Sequence, residues 1–383
     1  MGNNPDGEEK QAYYIHQQGL NNDFWGTTFS ANYKKDNIDL LVGGALNRYQ
    51  GAHIKDLLWA EKAYTSYKNN YSYEGLNTKE EASGFAKLTY TLNSKWSLFA
   101  DMQLRYVNYK AKKHKVDEAL YNFNPKMGVS FNLNQNNSFY LSYARATKEP
   151  NRSDYKDYAK ELKKNALAKK PVAEKLNDFE LGWRYQSDKV VLNINGYYMG
   201  YQDQLIPTGK LNETGYPIRE NVGSSYRSGI EADATVHLST KWIWQPNVAF
   251  SKNITKDYKT EKKKVITYWG DTQISYSPSA VIGNTISFLP IKNFQASLIS
   301  KYVGSQYIDN TQREEAKLDA YFVNNLSLQY EWNPKHTFKS VLFSVIGNNI
   351  LNAKYIPYGS NKYGESYIPA AEAHYLAGIT LSF

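Results

Sequence analysis

The chain has 383 residues, no cysteine and a formal net charge of +9. That length accommodates two or three ordinary domains or one large barrel, and the absence of thiols excludes disulfides and thiolate metal centres. Mean hydropathy is −0.65 and no apolar run reaches about 18 residues, which excludes transmembrane helices but not a β-barrel, whose strands alternate and are weakly apolar on average.

The opening "MGNNPDGEEK" lacks the apolar stretch of a secretory signal. Residues 1–20 read as a polar segment that ends as the tail of a loop. From there on, apolar and polar residues alternate in about fifteen runs. The runs lie near 22–34, 37–50, 83–92, 95–109, 124–134, 138–147, 176–186, 189–203, 225–238, 241–253, 277–288, 292–304, 319–332, 337–349 and 373–383. Period two is the signature of a strand with one apolar face. Phe179, Leu181, Trp183 and Tyr185 alternate with Asp178, Glu180, Gly182 and Arg184; Leu326, Leu328, Tyr330 and Trp332 alternate with Ser327, Gln329 and Glu331. Many runs reach about 10 residues, the length that crosses a bilayer at a tilt, where globular strands average about 5 or 6.

Tight polar turns recur at "KKDN", "LNSK", "LNQNN", "QSDK", "LSTK", "LPIKN" and "WNPK". The alternate connections, such as 51–82, 147–175 and 352–372, are long. Segregated short and long connections are the habit of outer-membrane barrels, with short periplasmic turns and long outer loops. Trp96, Trp183, Trp242, Trp244 and Trp332 all lie within a few residues of a short turn. There an indole can keep its ring in lipid and its N–H in water. The apolar face is therefore expected to meet lipid. An odd number of strands is at variance with single-chain bacterial barrels; with the missing leader, it implies the C-terminal part of a longer protein.

Charge is localised. Segment 109–121 carries 4 basic and 2 acidic residues, 147–175 carries 9 and 5, and 253–266 carries 5 and 2. These surpluses account for the whole of the +9. All three lie at the long-connection end, giving a basic rim that gathers anionic ligands, contacts anionic lipopolysaccharide, or is simply solvated. Within 155–170, Tyr158, Leu162 and Ala166 stand at helical spacing before Pro171, which predicts a short loop helix.

Catalytic and metal chemistry find no support. His16, His53, His114, His237, His336 and His374 are scattered, none at i,i+2 or i,i+4 from another, and His53 and His114 fall in long loops. Asp101, Glu180, Glu231 and Asp233 read as wall charges facing Arg105 and Arg184 rather than as an acid–base pair. No enzyme activity, resident cofactor or nucleic-acid partner is expected.

The C-terminal stretch "FSVIGNNILNAKYIPYG", with Asn349, Ile350, Leu351, Asn352 and Tyr355, resembles the end of TonB-dependent outer-membrane receptors. "FNPKMGVSFNLNQNNSFYLSYARATKEPNRSDY", "KLNDFELGWRYQSDKVVLNINGYYMGYQDQL" and "NVGSSYRSGIEADATVHLSTKW" resemble successive hairpins of that family, so the likeness covers roughly residues 120–383. The resemblance implies an all-β, antiparallel transmembrane β-barrel over 21–383, with about 15 of the 22 strands of the plugged outer-membrane transporters. Nothing in the chain corresponds to the family's plug domain or TonB box. It further implies a receptor in the outer membrane of a Gram-negative bacterium, importing a scarce nutrient with energy from the TonB complex. A ferric siderophore is the commonest substrate; haem, cobalamin and glycans remain open, as do a 16-stranded passive porin and a soluble β-rich binding module. Placement makes Arg152, Tyr155, Tyr158, Lys163, Lys164, Tyr358 and Tyr363 the candidate ligand contacts. Tyr375, Ile379, Leu381 and Phe383, with Ala377, form the terminal face that resembles the signal read by the barrel-assembly machinery.

Overall fold

A computed structural model describes residues 13–61, 71–111, 113, 116–163, 168–212, 215–262, 265–334, 338–361 and 366–383. The chain divides into two compact units. One comprises Met1–Lys35, Asp39–Leu88 and Asp101–Phe123; the other comprises Asp36–Ile38, Thr89–Ala100 and Asn124–Phe383.

The strands run, from the N-terminus, β1 (Tyr14–Lys35), β2 (Ile38–Ala60), β3 (Tyr71–Thr91), β4 (Trp96–Ala111), β5 (Val116–Asn132) and β6 (Asn137–Lys148). Helix α1 (Arg152–Leu162) precedes β7 (Glu174–Gln186), β8 (Val190–Leu211), β9 (Pro217–His237), β10 (Trp242–Lys262) and β11 (Val265–Gln273). The remainder is β12 (Ala280–Phe288), β13 (Phe294–Val303), β14 (Gln306–Tyr307), β15 (Lys317–Leu318), β16 (Tyr321–Trp332), β17 (Ser340–Asn348), β18 (Tyr358–Ser360), β19 (Ser366–Ile368) and β20 (His374–Ser382). One 16-stranded sheet holds β1 to β10, then β12, β13, β16, β17 and β20, each hydrogen-bonded to the next, with β11 attached to β10. Every expected run is a strand of this sheet, and every expected tight turn joins two of them.

Two expectations are corrected here. Residues 14–20 belong to β1 rather than to a loop. Much of the expected long-connection end is strand as well: β1, β2, β3, β8, β9 and β10 each run 21 to 23 residues. That is about twice a bilayer crossing, so these hairpins stand well clear of a membrane. Alternation alone carries no mark of where lipid stops.

In the second unit the two faces separate cleanly. On the apolar face Leu181 pairs with Leu141 across β6–β7 and Phe179 with Tyr143; Leu181 is 61% exposed and Ile230 58% exposed. On the other face, Glu180 pairs with Ser142 and Tyr197, and Glu231 with Asn195 and Ala249. Between neighbouring strands the backbone donors and acceptors meet one another, as hydrocarbon requires; among the described residues β20 pairs with β17 alone. At the short-turn ends the aromatic rings pair across strands. Trp242 meets Phe288 at 4.4 Å, Trp96 meets Phe131 at 4.4 Å, and Phe338 meets Phe383 at 5.2 Å between centroids. Two indole N–H groups are satisfied, Trp183 donating to Asn137 (3.0 Å) and Trp244 to Asn284 (2.7 Å).

Large rings on the polar face lie flat over glycines of the adjoining strand. A Cβ on Gly182 would stand 2.0 Å from the Tyr140 ring, and one on Gly229 2.7 Å from the Tyr197 hydroxyl. Glycine is needed at these two positions because only a bare Cα permits so close an approach. In the first unit Arg105 forms a fork with Glu81 at 2.7 and 2.9 Å, and Val107, Ala111 and Val116 are 0–3% exposed.

Candidate functional site

The candidate site is built on the extensions of β8, β9 and β10. Ile206, Val222, Tyr258 and Ile274 bury a small core there, with Trp269 packed against it. Tyr258 donates to Glu220 at 2.7 Å. Burial, followed by the nearby Glu220 carboxylate, raises the Tyr258 phenol far above its ordinary value, so it stays a donor. Helix α1 docks on this base. Asn151 caps it: its side chain accepts from the Asp154 N–H (3.1 Å), and the Asp154 carboxylate accepts from the Asn151 N–H (2.7 Å), a reciprocal capping box. The same carboxylate, 4% exposed, receives Arg219 of β9 in a two-point contact at 3.0 and 2.6 Å. A bidentate guanidinium fixes direction as well as position, so the first turn of α1 is held against β9.

A second anchor gathers four distant connections. Asn310 is fully buried; its amide donates to the Pro207 carbonyl (2.8 Å) and its oxygen accepts the Ser275 N–H (2.8 Å). Asp309 accepts from the N–H and hydroxyl of Thr311, from Arg313 and from Asn361. Asn361 in turn donates its own N–H to the Gly209 carbonyl (3.0 Å). Gly209 has φ +81°, and a Cβ there would meet the Ile308 carbonyl oxygen at 2.7 Å. Tyr276 takes the left-handed backbone, φ +52°, which is costly for a bulky residue. It is held by its hydroxyl bond to the Gly359 carbonyl and by stacking on Tyr358 at 5.4 Å.

Below Tyr276 the polar face forms a cavity of about 330 Å3, lined among others by Glu180, Tyr197, Met199, Arg227 and Glu231. Arg227 donates to Asn253 (3.2 Å) and Ser277 (3.1 Å). A larger hollow of about 580 Å3 lies at the short-turn end, lined by Asn132, Asn134, Asn136 and Asn193 with Lys95 and Arg184. The smaller cavity is the functional candidate, because it opens beneath the anchored connections.

The sequence-based site residues divide as follows. Arg152 and Tyr158 lie half-buried on α1, Lys163 is exposed at its end, and Tyr358 is half-buried in the β18–β19 hairpin. Tyr155 is corrected: it is 3% exposed and faces the interior beside Asp154, so it offers no ligand surface. Lys164 and Tyr363 lie outside the described residues. A helix forms over Arg152–Leu162; residues 164–167 of the expected span, Ala166 among them, lie outside the described residues. Arg105 pairs with Glu81, not Asp101, and Arg184 stands 4.7 Å over the Tyr140 ring rather than against a carboxylate. His53 belongs to β2, not a loop, and His114 lies outside the described residues. Among the described residues no cluster of His, Asp or Glu is arranged to hold a metal. Tyr375, Ile379 and Leu381 lie on β20 and Phe383 directly follows it; the four are 45–76% exposed. Arg227, Tyr276 and Asn310 were not anticipated; the Tyr-Ser-Pro turn at 276–278 is the only local sign of a special backbone.

A family model described as "TonB dependent receptor-like, beta-barrel" matches residues 2–350. No curated protein matches the chain. Among solved structures it is similar to the copper transporter OprC (14% identity, TM-score 0.71, covering 96% of this chain and 57% of that one). The ferric-catecholate import receptor Fiu from E. coli matches at 15% identity and TM-score 0.66, over 95% of this chain and 54% of that one. The ferric citrate transporter FecA, in its unliganded form, matches at 14% identity and TM-score 0.68, over 97% and 56%. The chain thus spans little more than half the length of these structures, and identities this low show the fold alone. The family match, over most of the chain, says more: this chain belongs to the TonB-dependent receptors, within their β-barrel.

Proposed function

We propose that this chain forms the wall of an outer-membrane receptor that imports an anionic ferric siderophore, powered through the TonB complex. The observation that carries the ligand class is the charge placement: the whole +9 surplus sits in three segments at the long-connection end. A basic rim concentrates anionic chelates and raises their capture rate. α1, with Arg152, Tyr158 and Lys163, and the Tyr276–Tyr358 stack supply cationic and aromatic contacts suited to catecholate or carboxylate chelates. The names of Fiu and FecA point to ligands of this class. The apolar face meets outer-membrane lipid, the lowest part of the rim meets lipopolysaccharide, and the β20 face engages the assembly machinery. No covalent chemistry is needed, only binding and passage.

Binding of ferric tris-catecholate and ferric citrate to the chain in detergent, followed by tryptophan quenching in stopped flow, tests the reading. Capture should slow several-fold in Lys163→Ala/Lys259→Ala, and should slow with salt as the Debye length falls from about 10 Å at 0.1 M to about 3 Å at 1 M. A capture rate indifferent to both charge and salt contradicts it.

A further inference from the structure

The apolar face of β6, β7 and β8 ends in a group of donors that nutrient passage does not use. Arg145 of β6 pairs with Asn177 of β7, and Lys175 of β7 pairs with Thr147 of β6 and Gln202 of β8. Residues two apart on a strand share a face. Arg145, Lys175, Asn177 and Gln202 therefore lie on the side that carries Leu141, Phe179 and Leu181, and all four are exposed. The Tyr143 hydroxyl donates to the side-chain oxygen of Asn177 (2.9 Å), which leaves the Asn177 amide NH2 as a donor.

Their height on the wall is set by the strand. Asn177 is nine residues from Gln186, the short-turn end of β7. At about 3.4 Å per residue and a tilt of about 40°, the Arg145–Asn177 row stands about 23 Å above the short turns. That is the top of an apolar band about 25 Å tall, so the row meets lipid headgroups, with Lys175 one step beyond.

The charge there is unbalanced. From the short turns up to this row, the apolar face of β6, β7, β8 and β9 carries no Asp or Glu. Glu174, next to Lys175 in the chain, is on the opposite face, where it accepts from Lys148 and from the Leu205 N–H. Among the described residues neither Arg145 nor Lys175 forms an ion pair. The two are diagonal neighbours, about 7–8 Å apart along the sheet. At the border of hydrocarbon their repulsion is poorly screened, and an anion seated between them relieves it. Two cations flanked by two amides, with no acidic group, suit an oxyanion of high charge, and guanidinium and ammonium groups are both natural partners of phosphate.

We propose that Arg145, Lys175 and Asn177 hold a phosphate group of an outer-leaflet glycolipid, whose acyl chains lie along Leu141, Phe179 and Leu181 below. The site narrows a general contact with lipopolysaccharide to one lipid in one place. It presupposes the lipid-facing wall proposed above, but not the nutrient carried.

The probe is a hexa-acylated glucosamine disaccharide bearing two phosphates, titrated against the full chain in detergent and counted by native mass spectrometry. The same lipid without phosphates is the comparison. One phosphorylated lipid should be retained, and the bare lipid should be held about tenfold or more weakly. Arg145→Gln/Lys175→Gln should lose the difference, while the charge-keeping exchange Arg145→Lys/Lys175→Arg should retain most of it. Lys175→Gln alone, outermost on the wall, should show a smaller loss and carries the test if the double variant does not fold. Equal retention of the two lipids, or a preference unchanged in the Gln variants, overturns the site. Displacement of the lipid by millimolar inorganic phosphate assigns a free-phosphate site and overturns the lipid. Ferric-chelate capture plays no part in the readout, so failure here leaves the import reading to its own test.

Discussion

Leu181→Arg separates a lipid-facing wall from a solvated one. Leu181 lies five residues from the short-turn end of β7 (Glu174–Gln186), near the middle of a crossing of about 9–11 residues. It is 61% exposed, and its lateral neighbours are Leu141 and the side-chain-free Gly196. A guanidinium there finds no polar partner, so the expected loss is about 2–4 kcal/mol, or roughly 30- to 900-fold in the folding equilibrium. Ser142→Arg is the control: it sits on the opposite face, directly across from Glu180, where a new pair keeps the change within about 1 kcal/mol. Urea-dependent folding into lipid vesicles, read by tryptophan fluorescence, gives both numbers. Equal losses on the two faces would refute a lipid-facing wall.

Other outcomes follow from the outer end. Arg219→Ala leaves the Asp154 carboxylate buried with only its cap bond, so α1 should loosen by about 3 kcal/mol; amide exchange over Arg152–Leu162 should quicken while β7 and β8 keep their protection. Gly182→Ala drives a methyl into the Tyr140 ring and should cost about 1–3 kcal/mol, with Tyr140→Ala relieving the clash in the double variant. The Asp271 carboxylate is held below its ordinary 3.8 chiefly by its bond to Lys256. A depressed carboxylate stabilises above its unfolded pKa and loses that contribution as pH falls through the folded one, so Trp269 emission from the β10–β11 hairpin should change only below about pH 4 and not in Asp271→Asn.

The strand framework was legible because each strand carries its own period-two pattern and each short turn its own polar cluster; neither depends on distant contacts. The outer end was not. Asn151 and Asp154 open α1 with a capping box one turn before the helical spacing of Tyr158 and Leu162, and helical period alone does not say that Tyr155 lies on the face that docks. β14, β15, β18 and β19 are two- or three-residue strands, too short to carry a period. Asn310 acts on Pro207, 103 residues away, and Tyr276 on Gly359, 83 residues away. Such pairings are set by tertiary assembly and leave no local trace.

The most direct measurement is uptake of iron-55 as ferric tris-catecholate and ferric citrate by the host, with the gene encoding this chain intact or deleted. Proposed import predicts that accumulation of at least one chelate is lost on deletion, restored by the intact gene, and abolished when the proton gradient that drives the TonB complex is collapsed. Accumulation of both chelates unchanged by deletion would contradict it.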